Sequence, residues 1–169
     1  MKKFLFCLFA LLALSGAGNK LGAQTPYVGG ALTADYSYGY NFHCSASVLG
    51  GYEFNDRWAL GGGIGLGIYP FGASQLALYA RWTPWHNDVL FLDVKLQSEG
   101  FFGRGFTFYG LDAGLVGSLR FRVGDHIDIF ADLANLGAQF SSAATNGAKV
   151  KPMIGIVSDS ARMGLLYRF

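Results

Sequence analysis

Charge is scarce in this chain: Asp, Glu, Lys and Arg make up 14% of its 169 residues, against roughly 25% in an ordinary soluble domain. A water-facing surface of the usual kind is hard to build from so few ionic groups. Cysteine is nearly absent. Of Cys7 and Cys44, only Cys44 lies outside the segment read below as a leader, which excludes an intramolecular disulfide in the mature chain. A strong basic excess is missing as well, since the formal charge is only +2. Spanning helices are also wanting. The apolar run from Phe4 to Leu14 falls short of the roughly 20 residues that crossing a bilayer requires. The uncharged stretch from Trp58 to Ala80 has two Gly-x-x-x-Gly spacings, Gly61/Gly65 and Gly63/Gly67, but Pro70-Phe71-Gly72 interrupts it and its rhythm is not helical.

What is present begins with a leader. Met1-Lys2-Lys3, the apolar run and a small-residue end at Leu21-Gly22-Ala23 form a secretory signal peptide over residues 1–23, leaving one domain over residues 24–169. Lys2, Lys3 and Lys20 go with the leader and no acid does, so the formal charge falls from +2 to −1. Nucleic-acid binding loses its compositional support.

The domain then reads as period-two segments separated by turn residues. The clearest runs from Trp58 to Tyr69: Trp58, Leu60, Ile64, Leu66 and Ile68 alternate with Ala59, Gly61, Gly63, Gly65 and Gly67. Seven others surround it, at about Tyr27–Tyr38, Phe42–Phe54, Leu76–Trp82, Leu90–Gln97, Tyr109–Arg122, Ile127–Leu133 and a last one ending at Phe169. The seventh loses its rhythm near Asn135-Leu136. The start of the eighth stays open, because Met153 to Val157 is apolar on both parities, as a bulge or a second ordered piece would make it. Compact turns are expected at Asn55-Asp56, Pro84 to Asp88 and Gly124-Asp125. Longer loops are expected at Gly39–Asn41, Pro70–Ser74, Ser98–Gly105 and Ser141–Lys151. The fold class is all-β: an eight-stranded antiparallel up-and-down barrel, with the compact turns on the periplasmic side.

Which face meets lipid follows from the charges. One parity collects Arg81, Lys95, Arg120, Arg122, Arg162 and Arg168 together with Asp35, Glu53, Asp93, Glu99, Asp112, Asp128 and Asp132. Turning the cations toward lipid would cost roughly 2–4 kcal/mol each at mid-depth, and a few of them would match the whole stability of a small protein, about 5–15 kcal/mol. The charges therefore face the lumen, where opposite signs pair and plug it. The rival is a soluble sandwich or lipocalin-like barrel, whose outer face would carry Lys, Glu and Thr rather than Gly, Ala and Ser. Aromatic belts support the membrane reading: Tyr27, Tyr52, Phe54, Trp58, Trp82, Trp85, Phe121, Tyr167 and Phe169 at the periplasmic end, and Tyr36, Tyr38, Phe42, Tyr69, Phe71, Phe106 and Tyr109 at the outer one.

The last eight residues, Arg162-Met163-Gly164-Leu165-Leu166-Tyr167-Arg168-Phe169, resemble the carboxy-terminal assembly signal of bacterial outer-membrane β-barrels, with Arg162, Gly164, Tyr167 and Phe169 in its four slots. The alternating segments and Gly51–Gly63 look like the small eight-stranded barrels of the OmpA/OmpX type, a likeness spanning nearly all of the mature chain. It implies a monomer of the outer membrane, surrounded by lipid and lipopolysaccharide and delivered by the barrel-assembly machinery.

Catalytic signals are thin. The glycines of Gly61–Gly67 lack nucleotide-binding spacing, and small residues there leave room for bulky lumenal neighbours such as Arg81. His86 and His126 read as solvated turn residues without ligand partners. His43 and Ser45 share a strand face, and their H-x-S spacing resembles the His-Ser pair of the lipid A deacylases of the PagL type, implying a His-activated nucleophile. The likeness stops at those two positions. Here the pair lies in the second strand, not near the carboxyl end, and it faces the lumen. The expectation is a non-enzymatic envelope or surface-interaction protein without cofactor or metal. A narrow pore is the alternative, and a lipid A-modifying enzyme the second one.

Overall fold

The computed structural model describes residues 25–38, 41–69, 74–102, 108–143, 147–156 and 160–169. The expected leader lies outside them, as do Phe71 and Phe106 of the outer aromatic belt; for Tyr36, Tyr38, Phe42, Tyr69 and Tyr109 only the backbone is described.

Nine antiparallel strands follow one another: β1 (Thr25–Tyr38), β2 (Asn41–Glu53), β3 (Trp58–Tyr69), β4 (Ser74–His86), β5 (Leu90–Phe102), β6 (Phe108–Arg122), β7 (Ile127–Ala143), β8 (Gly147–Ile156) and β9 (Ser160–Arg168). Each pairs with the next as far as β7; β9 then pairs with both β7 and β1 and closes the ring. Trp58 to Ala80, the stretch with helical spacings, forms β3 and the first part of β4.

The wall has eight positions, and β8 and β9 share the eighth. On β7, Ile127 to Asp132 pair with Tyr167 to Arg162 of β9, while Ala134 to Ala143 pair with Ile156 to Gly147 of β8. This settles the segment that is apolar on both parities: its strand comes in two ordered pieces. Among the described residues β8 has a partner on one edge alone. That edge strand contains Lys149, Lys151 and Pro152, the residue types that blunt an edge against further pairing.

Two bulges explain where the sequence rhythm fails. Gly117 pairs with Ala134 and Ser118 with Asp132, leaving Leu133 as the extra residue. Below it Ile127 and Ile129 face outward; above it Leu136 does, because one inserted residue exchanges the two faces. On β4, Trp82 pairs with Val94 and Trp85 with Leu92. The bulge between them accommodates Pro84, which has no N–H for the ladder. Trp82 and Thr83 continue the outward and inward parities of the strand before it, and the bulge turns Trp85 outward beside Trp82. The strand thus runs through Pro84 to His86, and the turn expected at Pro84–Asp88 shrinks to residues 87–89. Asn87 Oδ1 shapes that turn by accepting from the N–H groups of Val89 and Leu90 at 2.9 and 2.7 Å. Asn55 repeats the device, accepting from Arg57 and Trp58 at 2.9 Å each. At the other end the strands outrun the expected loops: Ser98–Phe102 belongs to β5, and Ser141–Ala143 and Gly147–Lys151 to the β7–β8 hairpin.

The barrel is inside out. Leu60, Leu78, Leu92 and Leu111 are 52, 64, 41 and 46% exposed, while Asp93, Arg120 and Asp128 are 1, 2 and 0% exposed. A water-soluble barrel has the opposite arrangement; an apolar exterior around a polar interior is the pattern of barrels that span a bilayer. At the short-turn end Phe54, Trp58, Trp82, Trp85, Phe121, Tyr167 and Phe169 are exposed. Trp58 stacks on Trp82 at 6.2 Å, and Tyr167 meets Phe169 edge-on at 5.2 Å. Tyr52 is half-buried. Tyr27 does not belong to this belt: it is 3% exposed and points inward, on the same parity as Ala31 and Thr33.

Candidate functional site

Among the described residues the fold brings chemically active side chains together in the lumen. Its apolar part comes from large side chains lying over bare backbone on neighbouring strands. Tyr27 of β1, Gly51 of β2, Gly61 of β3 and Tyr79 of β4 form one cross-strand row. The two hydroxyls meet at 2.8 Å above the glycines, and a Cβ on Gly61 would strike both rings' ends. The glycine run therefore makes room for Tyr27, Tyr79 and Leu49, whereas Arg81, the expected beneficiary, lies opposite Ala59. On the closing strand, a Cβ on Gly164 would come within 2.5 Å of the Phe130 ring. Gly164, one slot of the assembly signal, is thus also the floor on which Phe130 rests.

Around this layer the charged residues interlock. Arg120, on β6, donates from Nε to Asp93 at 2.8 Å and from a terminal nitrogen to Asp128 at 2.7 Å. Its guanidinium lies 4.3 Å over the Phe91 ring, so a buried cation has both carboxylates and an aromatic face. Arg81 donates to Glu53 and lies 3.8 Å from Asp93, whose other oxygen accepts from Thr83 at 2.6 Å. Asp128 also gathers Arg122 at 3.6 Å and Arg168 at 3.3 Å. Higher in the barrel Lys95 donates to Asp132 at 2.5 Å and stands 4.4 Å over Phe130. Arg162 reaches Glu99 at 3.5 Å, and Glu99 accepts from Gln97 at 2.8 Å.

The structure thus brings together Glu53, Arg81, Asp93, Lys95, Arg120, Arg122, Asp128, Asp132, Arg162 and Arg168 in a run of ion pairs from one end of the lumen to its middle. Asp112 lies on the same face of β6, opposite Glu99 in register. For Asp35 only the backbone is described, opposite His43 and Ser160. Thr83, Tyr27, Phe130, Leu49 and Leu166 complete the lumen without having been singled out as site residues. Parity already placed Tyr27 with Thr33 and Phe130 with Asp128 and Asp132, so the signal was there for those two. Thr83 continues the inward parity of Tyr79 and Arg81, so the signal was there for it as well.

Ser45 is 5% exposed and faces inward, away from the apolar exterior where acyl chains would lie; the side chain of His43 lies outside the described residues. Among the described residues no cluster of three or more His, Cys, Asp or Glu has the arrangement of a metal site. His126, on the short-turn rim, bonds through Nδ1 to the Arg168 carbonyl at 2.9 Å and stacks on Tyr167 at 5.6 Å. With the Arg168 N–H on His126 O at 2.7 Å and the Phe169 N–H on Pro26 O at 3.1 Å, the end of β9 is tied down on both sides.

No protein-family model matches the sequence, and no curated protein sequence does. Among solved structures the chain is similar to a de novo designed transmembrane β-barrel, at 12% identity over 89% of this chain and 98% of that one, with a TM-score of 0.48. It is also similar to Neisserial surface protein A (NspA), at 15% identity over 86% and 97% of the two chains and a TM-score of 0.44. A third is Ail, the attachment invasion locus protein of Yersinia pestis, at 18% identity over 89% and 100% and a TM-score of 0.25.

Proposed function

We propose that this chain is an integral outer-membrane β-barrel protein, inserted as a monomer among lipid and lipopolysaccharide by the barrel-assembly machinery. Its role in this reading is structural or surface-interacting, and it is not an enzyme. The apolar belt supports the membrane placement, because burying Leu60, Leu78, Leu92 and Leu111 in lipid removes a hydrophobic surface that water would not tolerate. One observation carries the closed-lumen part of the reading: Arg120 bridges Asp93 and Asp128 inside the barrel and is 2% exposed. A cavity beside it, lined among the described residues by Arg81, Asp93, Lys95, Arg120 and Arg162, measures about 10 Å³, room for one water.

The test is single-channel recording on protein refolded into planar bilayers. The expected trace is flat, and a steady open conductance would transfer the assignment to a narrow channel. Mass spectrometry of lipid A from cells with and without the protein addresses the deacylase alternative built on His43 and Ser45. An unchanged acyl pattern is expected, because Ser45 faces the lumen.

A further inference from the structure

The small cavity left in the lumen has an uneven wall. Four of its lining side chains are cations, Arg81, Lys95, Arg120 and Arg162, and Asp93 is the single carboxylate among them. The acids that pair with three of these cations stand outside that lining. Glu53 pairs with Arg81, Asp132 with Lys95 and Glu99 with Arg162, and none of these three acids lines the cavity. Asp93 is already committed to Arg120 and Thr83.

Donors are left over as a result. Among the described residues the Nε groups of Arg81 and Arg162 are buried without a hydrogen-bond acceptor, and the two residues are only 4 and 7% exposed. Lys95 has three N–H groups, and Asp132 is the carboxylate that one of them reaches. Unmet donors on cations in a low-dielectric interior are among the costliest groups to leave alone. They call for something that accepts hydrogen bonds, carries negative charge and occupies about the space of one water.

We infer that this cavity binds a single small inorganic anion, of the charge and size of chloride, held by Arg81, Lys95, Arg120 and Arg162. The anion completes the cation side of the plug. The inference goes beyond the membrane reading and depends on the lumen alone. A barrel that conducted could still hold the ion, and a closed barrel could still lack it.

Two measurements on the unmodified, refolded protein decide it. Crystals grown with bromide in place of chloride are expected to give an anomalous bromine peak inside the cavity. A cavity without that peak overturns the inference, whatever else fills it. Thermal unfolding is then followed in potassium chloride and in potassium gluconate at equal ionic strength, which cancels general screening. The expected result is a Tm that rises by about 3–5 °C per tenfold increase in chloride above its dissociation constant and does not respond to gluconate. Equal melting in the two salts overturns it. The variant Gln97→Glu sets a tethered carboxylate in the same wall and is expected to lose the chloride response and the bromine peak together; a peak of undiminished height in that variant also counts against the assignment.

Discussion

Replacing Arg120 with methionine tests whether the lumen is a dry, interlocked interior or a wet one. The guanidinium is 2% exposed and contacts Asp93 at 2.8 Å, Asp128 at 2.7 Å and Glu53 at 3.6 Å. Methionine retains most of the apolar stem, so the loss is one of charge, hydrogen bonding and the guanidinium's contact with Phe91. Breaking a buried ion pair by removing one partner costs about 3–5 kcal/mol, because the other charge is stranded. Here the stranded carboxylates keep some company: Arg168 and Arg122 remain 3.3 and 3.6 Å from Asp128, and Arg81 remains 3.8 Å from Asp93. That places the expectation near the lower end, about 3 kcal/mol, with a further ~0.5–1 kcal/mol from the lost cation–π contact over Phe91. In a water-filled lumen the same pairs would be screened and worth about 0–1 kcal/mol. The assay is equilibrium urea unfolding in lipid vesicles, read by tryptophan fluorescence. Combining Arg120→Met with Asp128→Asn should cost less than the two separate losses added, by about 1–3 kcal/mol. A loss below about 1 kcal/mol for Arg120→Met, with additive behaviour in the double variant, would refute the interlocked lumen.

Leu78→Arg separates lipid from water on the outside. On a soluble surface the change would register within about 0.5 kcal/mol, whereas facing the bilayer it should destabilise by about 2–4 kcal/mol in the same unfolding assay. Gly61→Ala places a methyl where the Tyr27 hydroxyl and the Tyr79 ring end now sit, and overpacking of this kind should lower stability by about 1–3 kcal/mol. An unchanged urea midpoint there would mean that the two tyrosines do not occupy the glycine floor.

How much of this was legible depended on where the two-residue rhythm held. Across β3 and β5 each apolar residue declared its face, because a strand bonded on both edges and wetted by lipid on one side leaves no freedom of parity. The same regularity placed Arg81, Asp93 and Arg120 on one inner face before any contact was known. Which acid met which base was not legible, since pairing depends on the stagger around the ring and not on position along a strand. Bulges are the second blind spot. Leu133 and the Thr83-Pro84 step each change the phase, so Leu136 and Trp85 break a pattern that is otherwise strict. Tyr27 was misplaced for a different reason: a tyrosine near a strand end suits a membrane interface equally well, and its inward parity was outweighed by its residue type. Strand ends at the long-loop side were underestimated too, because Ser98-Glu99-Gly100 and Ser141-Ser142-Ala143 resemble loop in composition.

The divided eighth position has an architectural consequence. Ring closure rests on nine residues, Ser160 to Arg168, clasped by β1 along one border and by the first part of β7 along the other. The outer hairpin of β7 and β8 contributes nothing to that clasp. Its length and residue content are therefore free to drift without unfastening the cylinder, and that rim can change while the staves beneath stay fixed.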